Sequence, residues 1–192
     1  NAASAVFAPG PRGRFWERFG RYVLVVSSID PRKNIGAAVS AFKAMGDPSL
    51  KLLLVGTRSA VFAEPTAGGT DGPNIERITR ITEDELLDLY RGAELLCYPS
   101  FYEGFGLPPI EAMASGCPVV ASDIGSISEV CGDAAILCNP HDHGAISAAM
   151  RSVIKNPGLR TDLVERGFKR AKKFNWKRSA DRLAEVVEAW RT

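Results

Sequence analysis

Hydrophobic and polar positions alternate in blocks along this chain. Tyr22-Val-Leu-Val-Val-Ser27 is an unbroken apolar, β-branched run, the pattern of a strand covered on both faces. A polar stretch, Ser28-Ile-Asp-Pro-Arg-Lys-Asn34, follows it. Ile35, Ala38, Val39 and Phe42 then recur at helical spacing, and that helix is expected to end near Gly46. Lys51–Val55 is a second buried strand closed by Gly56. Residues 57–74 read as a Gly-, Thr- and Pro-rich loop with a short helix near Ala60, and Ile75–Thr79 as a third strand. Thr82 and Glu85 form a capping-box pattern in front of Leu86, Leu87, Leu89 and Tyr90. Glu94–Tyr98, Pro118–Ala121 and Ala134–Cys138 are three further strands. Helices are expected from Pro108 or Pro109 to Gly116, over 127–131, and over 142–155, 159–173 and 176–190.

Strands and helices that alternate in this way predict βαβ units, hence an α/β fold: a Rossmann-like open parallel sheet with helices on both faces, in a single domain over residues 21–192. Residues 1–20 read as irregular. Pro9-Gly-Pro-Arg-Gly13 is a breaker cluster among Arg12, Arg14 and Arg18, expected to be an inter-domain linker or a frayed tail.

In such a sheet ligands bind beyond the carboxyl ends of the strands, so the loops after strands carry the candidate chemistry. Arg32 and Lys33 precede a helix start, a place suited to an anion, although a solvated basic turn has the same pattern. Ser100–Glu111 contains Gly104 and Gly106, which allow close approach of a ligand to the backbone, and two acids, Glu103 and Glu111. Carboxylates accept hydrogen bonds from sugar hydroxyls; helix capping and simple exposure are the competing roles. In Ser122–Glu129 the expected role of Ser126 is to cap a helix, with Glu129 as its capping-box partner. No GxxxxGK[ST] loop is present, and no GxGxxG follows the first strand.

Composition narrows the choices. Hydrophobic residues make up 45% and charged residues 24% of the 192 positions, a globular composition. A net charge of +2 is too small for a dedicated nucleic-acid binder, so no nucleic acid is expected as partner. Cys97, Cys117, Cys131 and Cys138 form no CxxC pair, and each is expected to be a reduced, buried thiol of a cytoplasmic protein. His141-Asp-His143 has no evident third ligand, so it reads as a surface helix start and no metal is expected. The basic stretch Arg166–Arg178 reads as a solvated helical face, with peripheral contact to anionic lipid at the inner face of a membrane as the lesser reading. The chain begins at Asn1 rather than Met, which reads as an excised or processed piece of a larger protein.

Three segments carry a resemblance: Lys51-Leu-Leu-Leu-Val-Gly56; Glu103-Gly-Phe-Gly-Leu-Pro-Pro-Ile-Glu111, continuing through Ala-Met-Ala-Ser-Gly-Cys-Pro-Val-Val-Ala-Ser122; and Glu129-Val-Cys-Gly-Asp-Ala-Ala-Ile-Leu137. In this order they resemble the C-terminal half of family 4 glycosyltransferases of the GT-B fold, from about Tyr22 to the end of the chain. The resemblance implies retaining transfer of a hexose from a nucleoside-diphosphate sugar to a glycan or lipid-linked acceptor. It implies Glu103 as the donor-sugar contact, Glu111 as the ribose clamp, and the amides of Gly104, Phe105, Gly106 and Leu107 as the lining of sugar and phosphates. Lys33, with Arg32 beside it, is implied at the diphosphate and the main chain near Ile81 at the nucleobase. No cofactor is implied beyond the donor itself, and the last helix, about 176–190, is implied to pack toward an N-terminal GT-B domain. The sequence departs from the pattern in two places: Ser27-Ser28-Ile29 stands where relatives carry Gly-Arg, and Gly-Ser-Ile-Ser-Glu129 where they carry Gly-Gly-x-Pro-Glu. With Pro31-Arg-Lys-Asn34 these departures look most like mannosyl- or rhamnosyl-transferring members. A sugar-nucleotide epimerase half and a non-catalytic sugar-nucleotide binding module are the alternatives.

Overall fold

The computed structural model of the chain describes residues 2–28, 30–56 and 72–190. The short helix expected near Ala60 lies outside those residues.

Among the described residues six strands form one parallel sheet: β1 (Arg21–Val26), β2 (Leu50–Val55), β3 (Ile75–Ile78), β4 (Leu95–Tyr98), β5 (Val119–Ser122) and β6 (Ala135–Cys138). Their spatial order is β3-β2-β1-β4-β5-β6, with every neighbouring pair parallel. Chain order therefore reverses between β1 and β4, and the loops leaving these two strands border a crevice.

The inner strands are mostly apolar because both faces are covered, whereas the edge strand β3 carries Glu76 and Arg77 and buries no residue. Side chains alternate between two cores, as the period of two requires. Tyr22 and Leu24 of β1, with Leu96 and Tyr98 of β4, enter the core beneath α1 (Arg14–Phe19), α3 (Glu83–Gly92), α4 (Leu107–Ala114) and α5 (Gly125–Cys131). Val23, Val25, Leu95 and Cys97 enter the opposite core beneath α2 (Ile35–Met45) and α6 (His143–Lys155). Helix α7 (Pro157–Ala171) packs against α4 and α6. Helix α8 (Trp176–Ala189) follows and buries none of its residues.

The expected helix ends hold where a specific side chain or glycine makes them. Thr82 accepts from the Glu85 amide while Glu85 accepts from the Thr82 amide, a complete capping box. Gly46 closes α2 in the left-handed conformation at φ 63°. All four cysteines are free and buried, and burial pushes the Cys97, Cys117 and Cys131 thiols up to about 12, which leaves them unreactive.

The irregular reading of residues 1–20 is corrected over 14–19. These residues form α1, which packs on α3, and Phe7 and Phe15 are buried in the core that α3 covers. Breakers on one side and four arginines nearby hide an apolar face of only two phenylalanines, Phe15 and Phe19, which stack on each other.

Candidate functional site

The crevice at the carboxyl ends of the strands holds a cavity of about 550 Å³. Its lining comes from the loops that follow β1, β2, β3 and β4, as the strand order demands.

After β1, Pro31–Lys33 forms a single 3₁₀ turn. Asp30 caps it by accepting from the Arg32 amide at 2.9 Å. The Asp30 carboxylate also takes the Arg32 guanidinium, at 3.2 and 2.6 Å, and this pairing holds its pKa below the ordinary aspartate value. Arg32 is thereby turned onto its own loop and does not line the cavity. Lys33, one residue on, does. Asn34 stands in the left-handed region at φ 52°, which asparagine tolerates. Its side-chain amide donates to the carbonyls of Pro99 and Pro140, at 3.0 and 2.8 Å.

The loop after β4 is fixed by its carbonyls. Asn34 holds Pro99, the Ser122 hydroxyl donates to Ser100 at 2.6 Å, and the Ser126 hydroxyl donates to Glu103 at 2.7 Å. The Phe101 amide donates to the Arg32 carbonyl at 2.7 Å and joins the two loops directly. The capping role expected of Ser126 is thus corrected. Ile124 is the N-cap of α5 without a side-chain cap bond, and the Ser126 hydroxyl reaches across to the Glu103 backbone instead. A serine near a helix start has the same sequence pattern in either role.

This scaffold sets Glu103 opposite Lys33. The ammonium donates to both carboxylate oxygens, at 2.7 and 2.8 Å, and the side chains are only 17% and 11% exposed. The Tyr98 hydroxyl donates to the same carboxylate at 2.6 Å. Burial first, and then the adjacent Glu103, push the Tyr98 phenol far above its ordinary pKa, so it remains a donor. Glu111, on the second turn of α4, has a tyrosine of its own: Tyr90, fully buried, donates to it at 3.0 Å. Burial raises the Glu111 pKa, with Glu83 adding to the rise and the Tyr90 bond opposing it.

Of the residues expected in the site, Lys33, Ile81, Glu103, Phe105, Gly106 and Leu107 line the one cavity. Arg32, Gly104 and Glu111 do not. Gly106 enters α4 at φ 105°, a conformation that requires glycine, whereas nothing stands within 4 Å of a side chain at Gly104. Pro108 and Pro109 occupy the first turn of α4 and carry no N–H. The free amides here belong to Leu107 and the loop before it, while the positive end of the helix dipole remains.

Sequence reasoning missed several participants. Tyr90 and Tyr98 look like core aromatics, because their apolar rings obey the helix and strand periods. Gly56 is a third: a side chain there would meet the Ser27 carbonyl at 1.8 Å, so glycine lets the loops after β1 and β2 close together under the cavity. The Ser27 hydroxyl is buried without a hydrogen-bond partner among the described residues, and Arg80 also lines the space. Among the described residues no group of three or more His, Cys, Asp or Glu is placed to hold a metal ion. No helix among them is long and apolar enough to cross a membrane.

Comparison with known proteins gives a consistent picture. A family model described as glycosyl transferases group 1 matches residues 17–170. The O-antigen chain mannosyltransferase B of Escherichia coli is 36% identical over 161 residues, which is 81% of this chain and 42% of that protein. The chain thus spans well under half the length of that relative. Sucrose-phosphate synthase from Thermosynechococcus elongatus superposes with a TM-score of 0.75 at 28% identity, covering 88% of this chain and 45% of that one. The C-terminal domain of a glycosyl transferase group 1 family protein from Francisella tularensis superposes with a TM-score of 0.77 at 22% identity, covering 90% and 97%.

Proposed function

Because the chain belongs to the glycosyl transferases group 1 family, we propose that it is the donor-binding domain of a retaining glycosyltransferase. The donor is a nucleoside-diphosphate sugar, the transferred group a hexose of mannosyl type, and the acceptor a glycan or a lipid-linked acceptor. The observation that carries this reading is the meeting of Lys33 and Glu103 in one cavity at the point where strand order reverses. A cation there suits a diphosphate; a carboxylate beside it suits sugar hydroxyls. The identity to a mannosyltransferase over most of the chain supports the choice of sugar.

In this proposal the nucleobase meets the main chain at Ile81 and the ribose hydroxyls meet Glu111. The amides of Gly104 to Leu107 surround sugar and phosphates. When the sugar leaves, negative charge grows on the diphosphate. Lys33 and the positive end of α4 stabilise it, which needs no metal. Glu103 positions the donor sugar and favours the positive charge that develops on it. An N-terminal domain, packed on α8, supplies the acceptor side.

Calorimetric titration with GDP, UDP, ADP and dTDP tests the reading. At least one is expected to bind, and absence of binding to all four would sink the proposal. Lys33→Ala is expected to weaken the bound diphosphate about 10- to 100-fold, the value of a charge-assisted hydrogen bond. Glu111→Ala should weaken nucleotide and donor alike. Glu103→Ala should remove only the preference for the sugar-bearing donor.

A further inference from the structure

The cavity needs more positive charge than Lys33 supplies. Lys33 is matched by Glu103 at 2.7 Å, so together they contribute no net charge. A diphosphate brings at least two negative charges. Arg32, the cation next to Lys33, is held by Asp30 at 2.6 Å away from the cavity.

Arg80 answers that need. It follows β3, and its residue lines the same cavity as Lys33, Glu103 and Ser27. It is exposed, and among the described residues it makes no hydrogen bond, ion pair or ring contact. Lys33 and Arg80 are the cations lining the space among the described residues, so Arg80 sets the sign of its net charge. Its backbone stands at φ 57°, in the left-handed region. Glycine or asparagine would fit that turn at less cost, whereas a long arginine there costs about 1 kcal/mol. Such a conformation, kept beside a cavity, points to a use for the side chain.

We propose that Arg80 is the second cation of the donor site, its guanidinium pairing with the diphosphate across the cavity from Lys33. The inference rests on the donor-site reading above. A planar guanidinium takes two phosphate oxygens at once, which an ammonium cannot.

The test uses Arg80→Ala, Arg80→Lys and Arg80→Gly in calorimetric titrations with the nucleoside diphosphate that the unaltered chain binds, and with its nucleoside. The Ala and Gly variants are expected to lose about 10- to 100-fold in diphosphate affinity, and the Lys variant to recover part of it. Nucleoside affinity should stay unchanged. The slope of diphosphate affinity against salt should fall in both Ala and Gly variants. Arg80→Gly relieves the backbone, so it should melt no lower than the unaltered chain while binding worse; this separates lost contact from lost fold. Diphosphate affinity within twofold of the unaltered chain would overturn the proposal. So would equal losses for diphosphate and nucleoside, which would mark a contact to the base. If the unaltered chain binds no nucleotide, the donor-site reading falls and takes this inference with it.

Discussion

The Glu103 carboxylate receives three hydrogen bonds from two side chains, and each side chain carries a different consequence. Lys33 compensates its charge; Tyr98 fixes its orientation. Removing Lys33 alone leaves a largely buried carboxylate with one neutral donor. We expect Lys33→Met to cost about 1–3 kcal/mol, a fall in Tm of about 2–12 °C for a chain of this size. Adding Glu103→Gln removes the stranded charge and should recover most of that loss. The pair of single variants and the double variant form a thermal-denaturation cycle; simply additive losses would contradict the coupling. Glu111 offers a titration to follow. Burial raises its pKa in the folded chain, so the folded state holds the proton more tightly than the unfolded state. Its contribution to stability is therefore greatest at low pH and declines as pH rises from the ordinary carboxyl range through the folded value. Glu111→Gln keeps an acceptor for Tyr90 and removes the charge. This variant should melt higher than the unaltered chain at neutral pH, and the gain should vanish near about pH 4. A gain that stays constant with pH would rule out the buried carboxylate as its source.

The strands and most helices were legible because each is decided by a local pattern. Short apolar runs such as Leu95–Tyr98, set between turns and too short for a helix, read as covered strands, and Thr82 with Glu85 or Gly46 mark helix ends by chemistry that is local too. Helix α1 was not legible, because its stability comes from Phe15 meeting the core over α3, a contact some seventy residues away in sequence. The site divides in the same way. Loops after strands pointed to Lys33 and Glu103, since topology alone brings the ends of β1 and β4 together. Side chains that act across elements stayed hidden: Tyr90 on α3 behind Glu111 on α4, Ser126 on α5 behind the Glu103 carbonyl, and Arg80 after β3, which lines the same cavity as Lys33. Arg32 and Lys33 show the limit most clearly. Adjacent cations look equivalent in sequence, yet Asp30, two residues before Arg32, turns one of them away.

Helix α8 poses a different question, that of how much of its stability this chain supplies. Trp176, Leu183, Val187 and Trp190 recur at spacings of seven, four and three, so they share one face of the helix. Trp176 is 65% exposed and Trp190 88%, and no residue of α8 is buried. Asn175 caps its start by accepting from the Arg178 amide at 2.9 Å, so a local signal favours the helix. A helix of 14 residues without packing is nevertheless marginal in water. Amide hydrogen exchange on this chain should therefore find α8 opening at a free energy near zero, while β1 and β2 exchange only by global unfolding. Leu183→Asp should leave the Tm of this chain unchanged within the small range of surface substitutions, about 0.5 kcal/mol. In a longer protein that carries the proposed N-terminal domain, the same stripe would be covered. There α8 should become protected, and Leu183→Asp should destabilise by about 1–3 kcal/mol, the burial of one leucine. Strong protection of α8 in the present chain would mean that its apolar face is already satisfied, and the case for a domain packed on it would lose its support.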